Sequence, residues 1–415
     1  MQENSRYAVG VDIGTTTIRC VVGHIDTTTG TPTVVGVGKS ASSGMRKGSV
    51  VNLNGPAQAI DQTVGEAERM SGHEINDATI SVNGSHILST KVDGMIAVGA
   101  ADHVITEDDM LRVEEMATVG KVPANREILE VVPHNFRLDG QDNIKDPVGM
   151  TGTRLEIVAN VVSALGPHVS NLQKAAEMAT ISPNAKVPGV IAAARAVLTE
   201  KQLENGVAVV DMGGATTSVA IFEEDDLQYV GVIPVGGVNI TNDLAIGLKT
   251  DPEVAEDVKI KHGSAVVRSD AEGVSIKQND EIISFNTSDI DEVIEARLEE
   301  IFDDVKKEFK KAGKLGQLPS GVILTGGAAQ MKSMVEFAKE KLELAVRVGK
   351  PTGFGGVAEK VDQPEFATAV GLMLIDSDGV SPEHSGKKKS GGKSSGSLLG
   401  SVGSVVKKLF GKLKV

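Results

Sequence analysis

The sequence predicts an α/β fold of two related halves closing on one cleft, and three stretches predict it. Val209–Ile221, VVDMGGATTSVAI, runs from an apolar stretch through Asp211, two glycines and two threonines into a second apolar stretch. Ala8–Val21, AVGVDIGTTTIRCV, has the same pattern about 200 residues earlier, with Asp12, Gly14 and three hydroxyl residues. Gly321–Met334, GVILTGGAAQMKSM, reads as strand, Gly326-Gly327 turn and helix.

Each of the first two stretches reads as a β-hairpin whose turn offers bare backbone N–H groups. Glycine lets the backbone approach an anion and adopt positive φ, and successive N–H groups in such a turn form an anion-binding concavity. An Asp beside a phosphate requires a cation between them, and Mg²⁺ takes carboxylate and phosphate oxygens together with water. One such turn alone is more often an ordinary hairpin. Two copies favour paired halves gripping a polyphosphate, with Asp12 and Asp211 converging on one Mg²⁺ through water. At Gly326-Gly327 the missing side chains let a flat ring or ribose lie on the backbone.

The elements follow in chain order. Arg6–Gly38 reads as a three-strand meander, Asn54–Ser71 as a helix with Ala57, Ile60, Val64 and Ala67 at helical spacing, and Ala78–Val82 as a strand. Residues 85–160 interrupt this unit as an inserted α+β subdomain. It holds strand-like Ser85–Ala97, a helix capped by Thr106, and the strands Glu127–Leu138 and Arg154–Ala164. Pro167–Ala179 and the Ala-rich Val190–Leu203 read as helices. Gly236-Gly237 opens a further helix through Leu248, and glycines at a helix N-terminus suit an anion through free N–H groups and the dipole. A plain strand–helix turn fits there equally well.

Glu256 and Lys259 are three apart and share a face of the helix over 254–264; on their own they read as a solvated ion pair. Val274–Phe285 reads as a hairpin turning at Asn279-Asp280. Ser288-x-x-Asp291 resembles a capping box for the longest helix, whose stripe of Val293, Ile294, Leu298, Ile301, Phe302, Val305 and Phe309 reads as core. Phe366–Ile375 is a last apolar helix. The division expected is 1–84 with 161–204 for the first lobe, 205–245 with 313–376 for the second, and 246–312 for a small subdomain of the second lobe.

Residues 377–396 are Ser-, Gly- and Lys-rich and read as a flexible linker. Residues 397–415 then place Leu398, Val402, Val405, Val406, Leu409, Phe410 and Leu413 on one helical face, flanked by Lys407, Lys408, Lys412 and Lys414. A helix of about 18 residues spans roughly 27 Å, enough to lie in a membrane interface. Gly400, Gly403 and Gly411 each weaken it by about 1 kcal/mol, so the expected behaviour is folding on contact with lipid, with anionic headgroups drawing the lysines.

Composition narrows the function classes. The chain has 415 residues and a net charge of −14, yet the eight lysines after Glu383 face no acid, which leaves 34 basic against 56 acidic residues, or −22, on the rest. An acidic body argues against nucleic acid as partner, and a basic end on it is an adapter-like layout. Cys20, the single cysteine, cannot form an internal disulfide, so a reducing, cytoplasmic setting is expected. No signal-peptide h-region and no run of 18 apolar residues is present, so neither secretion nor a membrane span is expected. The eight scattered histidines offer no His/Cys metal cluster.

The paired turns, the Gly326-Gly327 turn and the Glu256/Lys259 segment together resemble the actin/Hsp70/sugar-kinase superfamily. More narrowly, NGSHI at Asn83–Ile87, KDPVGMTGTRLE at Lys145–Glu156, AEDVKIKHG at Ala255–Gly263, the position of the insert, and the linker with its amphipathic end are similar to the FtsA family of bacterial cell-division proteins. The resemblance runs from about Arg6 to the C-terminus. It implies an actin/Hsp70-like two-lobed fold with ATP and Mg²⁺ in the cleft. Asp12, Gly14, Thr15, Thr16 and Arg19 match the first phosphate turn, and Asp211, Gly213, Gly214, Thr216 and Thr217 the second. Glu256 and Lys259 match the adenosine-contacting segment, and Gly326 and Gly327 the turn beneath the nucleoside. Two departures stand out: Ala215 replaces a third glycine, and the segment Val187–Leu198 at the crossover between lobes offers no Glu, Asp or Gln to orient water. Weak or absent ATP turnover is therefore expected.

The resemblance also implies a polymerising adapter that tethers the FtsZ ring to the cytoplasmic face of the membrane at the septum. The FtsZ C-terminal peptide would sit on residues 246–312, and the insert would face sister subunits or later division proteins. Two other readings share the fold. A small-molecule kinase would phosphorylate an alcohol and has no evident use for the tail. A type IV pilus inner-membrane ATP-binding adapter is expected to lack a lipid-binding tail, so Leu398–Val415 discriminates.

Overall fold

The structure is a computed structural model that describes residues 6–25, 30–99, 102–278, 281–356 and 358–379. The amphipathic stretch at 397–415 and most of the expected linker lie outside the described residues. The last apolar helix runs Ala367–Gly379, so residues 377–379, expected to begin the linker, close this helix instead.

Two sheets carry the molecule, and they repeat one topology. In the first, Arg6–Ile13, Thr17–Ile25 and Pro32–Ala41 form an antiparallel meander, while Asp77–Val82 and then Ser182–Pro188 extend it in parallel from the other side of Arg6–Ile13. In the second, Val207–Met212, Thr217–Glu223 and Asp226–Ile233 form the meander, while Val322–Thr325 and Val346–Val348 extend it in parallel. The order and direction of the strands are the same in both. Each first hairpin therefore turns at the same corner of its sheet, at residues 13–17 and 212–217, where the two sequence repeats lie.

Two helices join the lobes. Gly189–Val197 leads from the first sheet to the second, and Ala367–Gly379 returns to lie on the first. They cross at van der Waals contact because Gly371 has no side chain: a Cβ there would stand 1.7 Å from the Ala192 carbonyl oxygen. Both helices are almost wholly buried, and their Ala, Val, Ile and Leu side chains belong to one core that continues beneath both lobes. A second core lies outside the second sheet. It takes Ile294, Leu298, Ile301, Phe302, Val305 and Phe309 from the helix Thr287–Lys311, whose Val293 is only partly buried.

The insert is a four-stranded antiparallel sheet in the order Leu88–Ala97, Arg154–Leu165, Arg126–Leu138, Gln141–Ile144. The helix Glu107–Thr118 covers one face and buries Met110, Val113 and Ala117. Thr106 caps it in a reciprocal box with Asp109.

Several local readings need correction. The Ala-rich stretch is two helices, Gly189–Val197 and Glu200–Asn205, because Gln202 accepts from the Thr199 N–H and starts a new turn. The long helix is capped by Asn286, whose side chain accepts from Ser288 N–H at 3.2 Å. Asp291, read as the capping-box acid, is instead fully buried and paired with Arg268 at 2.7 Å. Pro183 and Pro188 hid the strand Ser182–Pro188 from the sequence reading; it lies at a sheet edge, where missing N–H donors are tolerated.

Candidate functional site

The two hairpin turns face each other across a cleft of about 930 Å³. Asp12 and Asp211 are each the penultimate residue of the first strand of their lobe, so the shared topology brings the two carboxylates to one place. Asp12 is 8% exposed and Asp211 is half-buried.

Their supports differ. Ser81 donates its hydroxyl to Asp12 Oδ1 at 2.9 Å, and the Asn83 amide donates to Ser81 Oγ at 3.0 Å and more distantly to Asp12. Asp211 has Thr368 at 3.5 Å. Burial raises the pKa of Asp12, opposed by the nearby Arg19 charge and by the Ser81 and Asn83 hydrogen bonds. Burial, with the charge of Asp12 added, pushes Asp211 up to about 7 despite Arg19 and Thr368. Two crowded carboxylates are what a bound cation relieves. Among the described residues no group of three or more His, Cys, Asp or Glu side chains could hold a metal by itself. A cation here would draw on these two acids, water and oxygens of its ligand.

Arg19 lies at the lobe I wall of the cleft. It pairs with Glu365 at 2.8 Å, as does Lys39 at 2.9 Å, and its guanidinium stands 5.5 Å from the Phe366 ring centre. Burial would raise the Glu365 pKa, but Arg19 and Lys39 more than offset it, and the group titrates below its ordinary value. Glu365 opens the segment that leads into the returning helix, so this ion pair ties the first hairpin to the crossover.

The opposite wall is formed by the small subdomain. Lys259 Nζ donates to the Gly237 carbonyl at 3.1 Å, to Thr241 Oγ1 at 2.8 Å and to Glu256 Oε2 at 2.6 Å. Glu256 also bonds Thr241. The two residues are thus both an ion pair and part of the cleft wall. Gly326 turns beneath Asp211 with φ at +84°, and a Cβ on it would meet Asp211 Oδ1 at 2.4 Å, so only glycine fits.

Of the nucleotide-site residues singled out from sequence, all but Thr217 and Gly236 line the cleft. Thr217 is fully buried and donates to the Val235 carbonyl, which anchors the hairpin to the connection between the strand Asp226–Ile233 and the helix Gly237–Gly247. Gly236 packs against the second turn: a Cβ there would meet the Gly213 carbonyl oxygen at 2.6 Å. The free N–H groups expected at this helix start are not free. Gly237 N–H donates to Gly213 O and Val238 N–H to Gly214 O, so the helix braces the turn from behind.

Four contributors were missed: Ser81, Asn83, Thr368 and Glu365. Asn83 stood in the NGSHI stretch without a role assigned. Thr368 and Glu365 lie in a segment with no motif, and only the return of the chain to the cleft gives them meaning.

Comparisons with known proteins agree with this geometry. The family model described as "Cell division protein FtsA" matches residues 208–371, and "SHS2 domain inserted in FTSA" matches residues 84–163. The chain is 33% identical over 396 residues to cell division protein FtsA of Pseudomonas aeruginosa PAO1, covering 94% of each protein. It is 35% identical over 377 residues to FtsA of Bacillus subtilis 168, covering 90% of this chain and 84% of the relative. It is 30% identical to FtsA of Escherichia coli K12 over 386 residues, with 89% and 90% covered. Among solved structures it is similar to a PilM-PilN type IV pilus biogenesis complex, with TM-score 0.65, 16% identity, and 89% and 98% covered. It is also similar to MreB5 of Spiroplasma citri bound to ADP, with TM-score 0.54, 13% identity, and 89% and 96% covered. These two likenesses show the actin-like fold.

Proposed function

This chain belongs to the FtsA family of cell division proteins, and from that premise we propose that it is an ATP-binding, actin-like adapter that ties the FtsZ ring to the membrane. The observation that carries the nucleotide part is the pair of carboxylates, Asp12 buried and Asp211 half-buried, at the heads of two matching hairpins, with glycine turns beside both.

In this reading Asp12 and Asp211 would hold Mg²⁺ through water, and the ion would supply charge neutralisation for the phosphates of ATP. The turns at Gly14–Thr16 and Gly213–Thr216 cradle those phosphates. Ser81 and Asn83 hold Asp12 in place as an acceptor. Gly326 and Gly327 leave room for the nucleoside, and Glu256 and Lys259 close its outer side. The carboxylates that line the cleft beyond Asp12 and Asp211 include Glu365, held by Arg19 and Lys39, and Glu256, held by Lys259. The crossover helix Gly189–Val197 carries no acid. No side chain of that helix is placed to orient an attacking water, so weak or absent turnover goes with this reading.

The remaining roles rest on sequence and on family. Residues 397–415 act as a reversible lipid anchor on the cytoplasmic face of the membrane at the septum. Self-assembly multiplies their modest affinity into avid attachment. No described helix is long and apolar enough to cross a membrane, and the anchor proposed here lies in the interface. The small subdomain around 246–312 takes the FtsZ C-terminal peptide, and the insert meets sister subunits and later division proteins.

Liposome co-sedimentation with Mg-ATP tests the adapter reading. It compares the full chain with one stopped after Gly379 and views the pellets by electron microscopy. The expected result is that only the full chain pellets, with filaments on lipid, and that Phe410→Glu abolishes it. If both chains remain in the supernatant, the membrane role is wrong.

A further inference from the structure

The insert is joined to the first lobe by its chain ends, yet it also grips the second. Lys145, in the KDPVGMTG loop of the insert, reaches the tip of the second-lobe hairpin, with Nζ 3.0 Å from Asp226 Oδ2 and 3.1 Å from Glu224 Oε2. It donates as well to the His134 carbonyl of its own subdomain at 3.3 Å. Beside it the buried Asn160 of the insert donates to the Leu227 carbonyl at 3.4 Å, with Ser89 fixing its other end at 2.7 Å. Leu129, Val132 and Val162 of the insert share one core with Phe222, Leu227 and Val230 of the second lobe.

The gripped hairpin shares a strand with the hairpin that forms the second turn of the cleft. Its strand Thr217–Glu223 begins at that turn and, seven residues on, ends at the tip Lys145 holds. At about 3.3 Å per residue the strand spans roughly 23 Å, and it is hydrogen-bonded on both sides, so it moves as a rod.

The first turn is connected to the insert as well. Gly48 N–H donates to Thr15 Oγ1 at 2.9 Å, and the same glycine lies against Gly84, where the insert begins: a Cβ on Gly48 would stand 2.6 Å from Gly84 Cα. Both turns of the cleft thus have a short, contiguous route to one subdomain.

Resting on the nucleotide-binding reading above, we propose that the insert reports occupancy of the cleft, turning against the second lobe when ligand shifts the two contacting turns against each other, with Lys145 and the Glu224–Asp226 tip as the latch that transmits the movement. The latch suits a switch. Lys145 and Glu224 are exposed, and a surface ion pair is weak enough to rearrange. The buried Asn160 and the apolar base keep the subdomain seated while it turns.

The test uses the full chain with spin labels at Glu115→Cys on the insert helix and Lys310→Cys on the long helix of the second lobe, both exposed. Cys20 is fully buried and stays unlabelled. Labelled chain is diluted with unlabelled chain, and the distance distribution is measured by pulsed electron resonance with and without Mg-ATP, alongside ATP affinity. The expected result is a shift of the distribution on adding Mg-ATP. Lys145→Glu removes at least half of that shift while ATP affinity stays within about threefold, the scale of a surface ion pair. Adding Glu224→Lys and Asp226→Lys to Lys145→Glu restores it. Binding of ATP with no shift in the parent overturns the coupling and leaves the nucleotide reading intact. A shift that survives Lys145→Glu in full overturns the latch. Absence of ATP binding overturns the nucleotide reading and the coupling with it.

Discussion

Gly214 of the second hairpin turn lies directly against Thr16 of the first: a Cβ on Gly214 would stand 2.4 Å from Thr16 Oγ1 and 2.6 Å from Thr16 Cγ2. The two lobes therefore touch at the two turns that line the cleft. Gly214→Val should wedge the turns apart. The expected outcome is at least a tenfold loss of ATP affinity, about 1.4 kcal/mol or more, with an unchanged circular dichroism spectrum. Titration with a fluorescent ATP analogue measures it.

The carboxylate pair fixes a pH dependence. Asp211 is raised from an ordinary value of 3.8 to about 7 in the folded chain, chiefly by burial and then by Asp12. The folded state therefore holds a proton that the unfolded state has released across that window, and stability without ligand falls as pH rises from about 4 to 7. Asp211→Asn removes the buried charge. It should stabilise the ligand-free chain at pH 8 by roughly 1–2 kcal/mol, after discounting for partial solvent access, and by less at pH 5. Urea unfolding at the two pH values gives the comparison. A gain that is larger at pH 5 contradicts the burial account.

The crossing of the two connecting helices predicts a stability defect one helical turn beyond Thr368. Gly371→Ala places a methyl where the Ala192 carbonyl oxygen already stands, and overpacking of this kind costs about 1–3 kcal/mol. Denaturant titration should show a lower midpoint with a similar slope. A neutral outcome would mean that the helices separate freely.

Turnover should be slow. Kinases reach roughly 1–100 s⁻¹, and the crossover helix Gly189–Val197 offers no acid to orient water. Phosphate release from purified chain with Mg-ATP should stay well below about 1 s⁻¹. A rate at or above that value means that another acid of the cleft lining, Glu256, Glu272 or Glu365, acts on water.

Much of the cleft was legible because its chemistry is local. Asp12 with Gly14 and Asp211 with Gly213-Gly214 each sit on one hairpin, and the apolar runs around them announce the strands. Gly326 announced a turn, though not that its φ of +84° makes room for Asp211. What depends on tertiary return was not legible. Thr368 reads as one more residue of an apolar helix until that helix folds back over the first sheet. Glu365 has no signal until Arg19 is beside it. Gly236-Gly237 misled for a related reason: a helix start promises free N–H groups, and nothing local says that Gly213 and Gly214 carbonyls take those of Gly237 and Val238. The strand Ser182–Pro188 was missed because its two prolines argue against a strand anywhere except the sheet edge it occupies.

The most direct test of the account is calorimetric titration of the purified chain with ATP, in Mg²⁺ and in chelator, for the parent and for Asp12→Asn. The account predicts saturable one-to-one binding in Mg²⁺ that weakens at least tenfold, about 1.4 kcal/mol, in chelator, with Asp12→Asn equally weak under both conditions. Absence of binding to the parent, or binding indifferent both to Mg²⁺ and to Asp12→Asn, would contradict it.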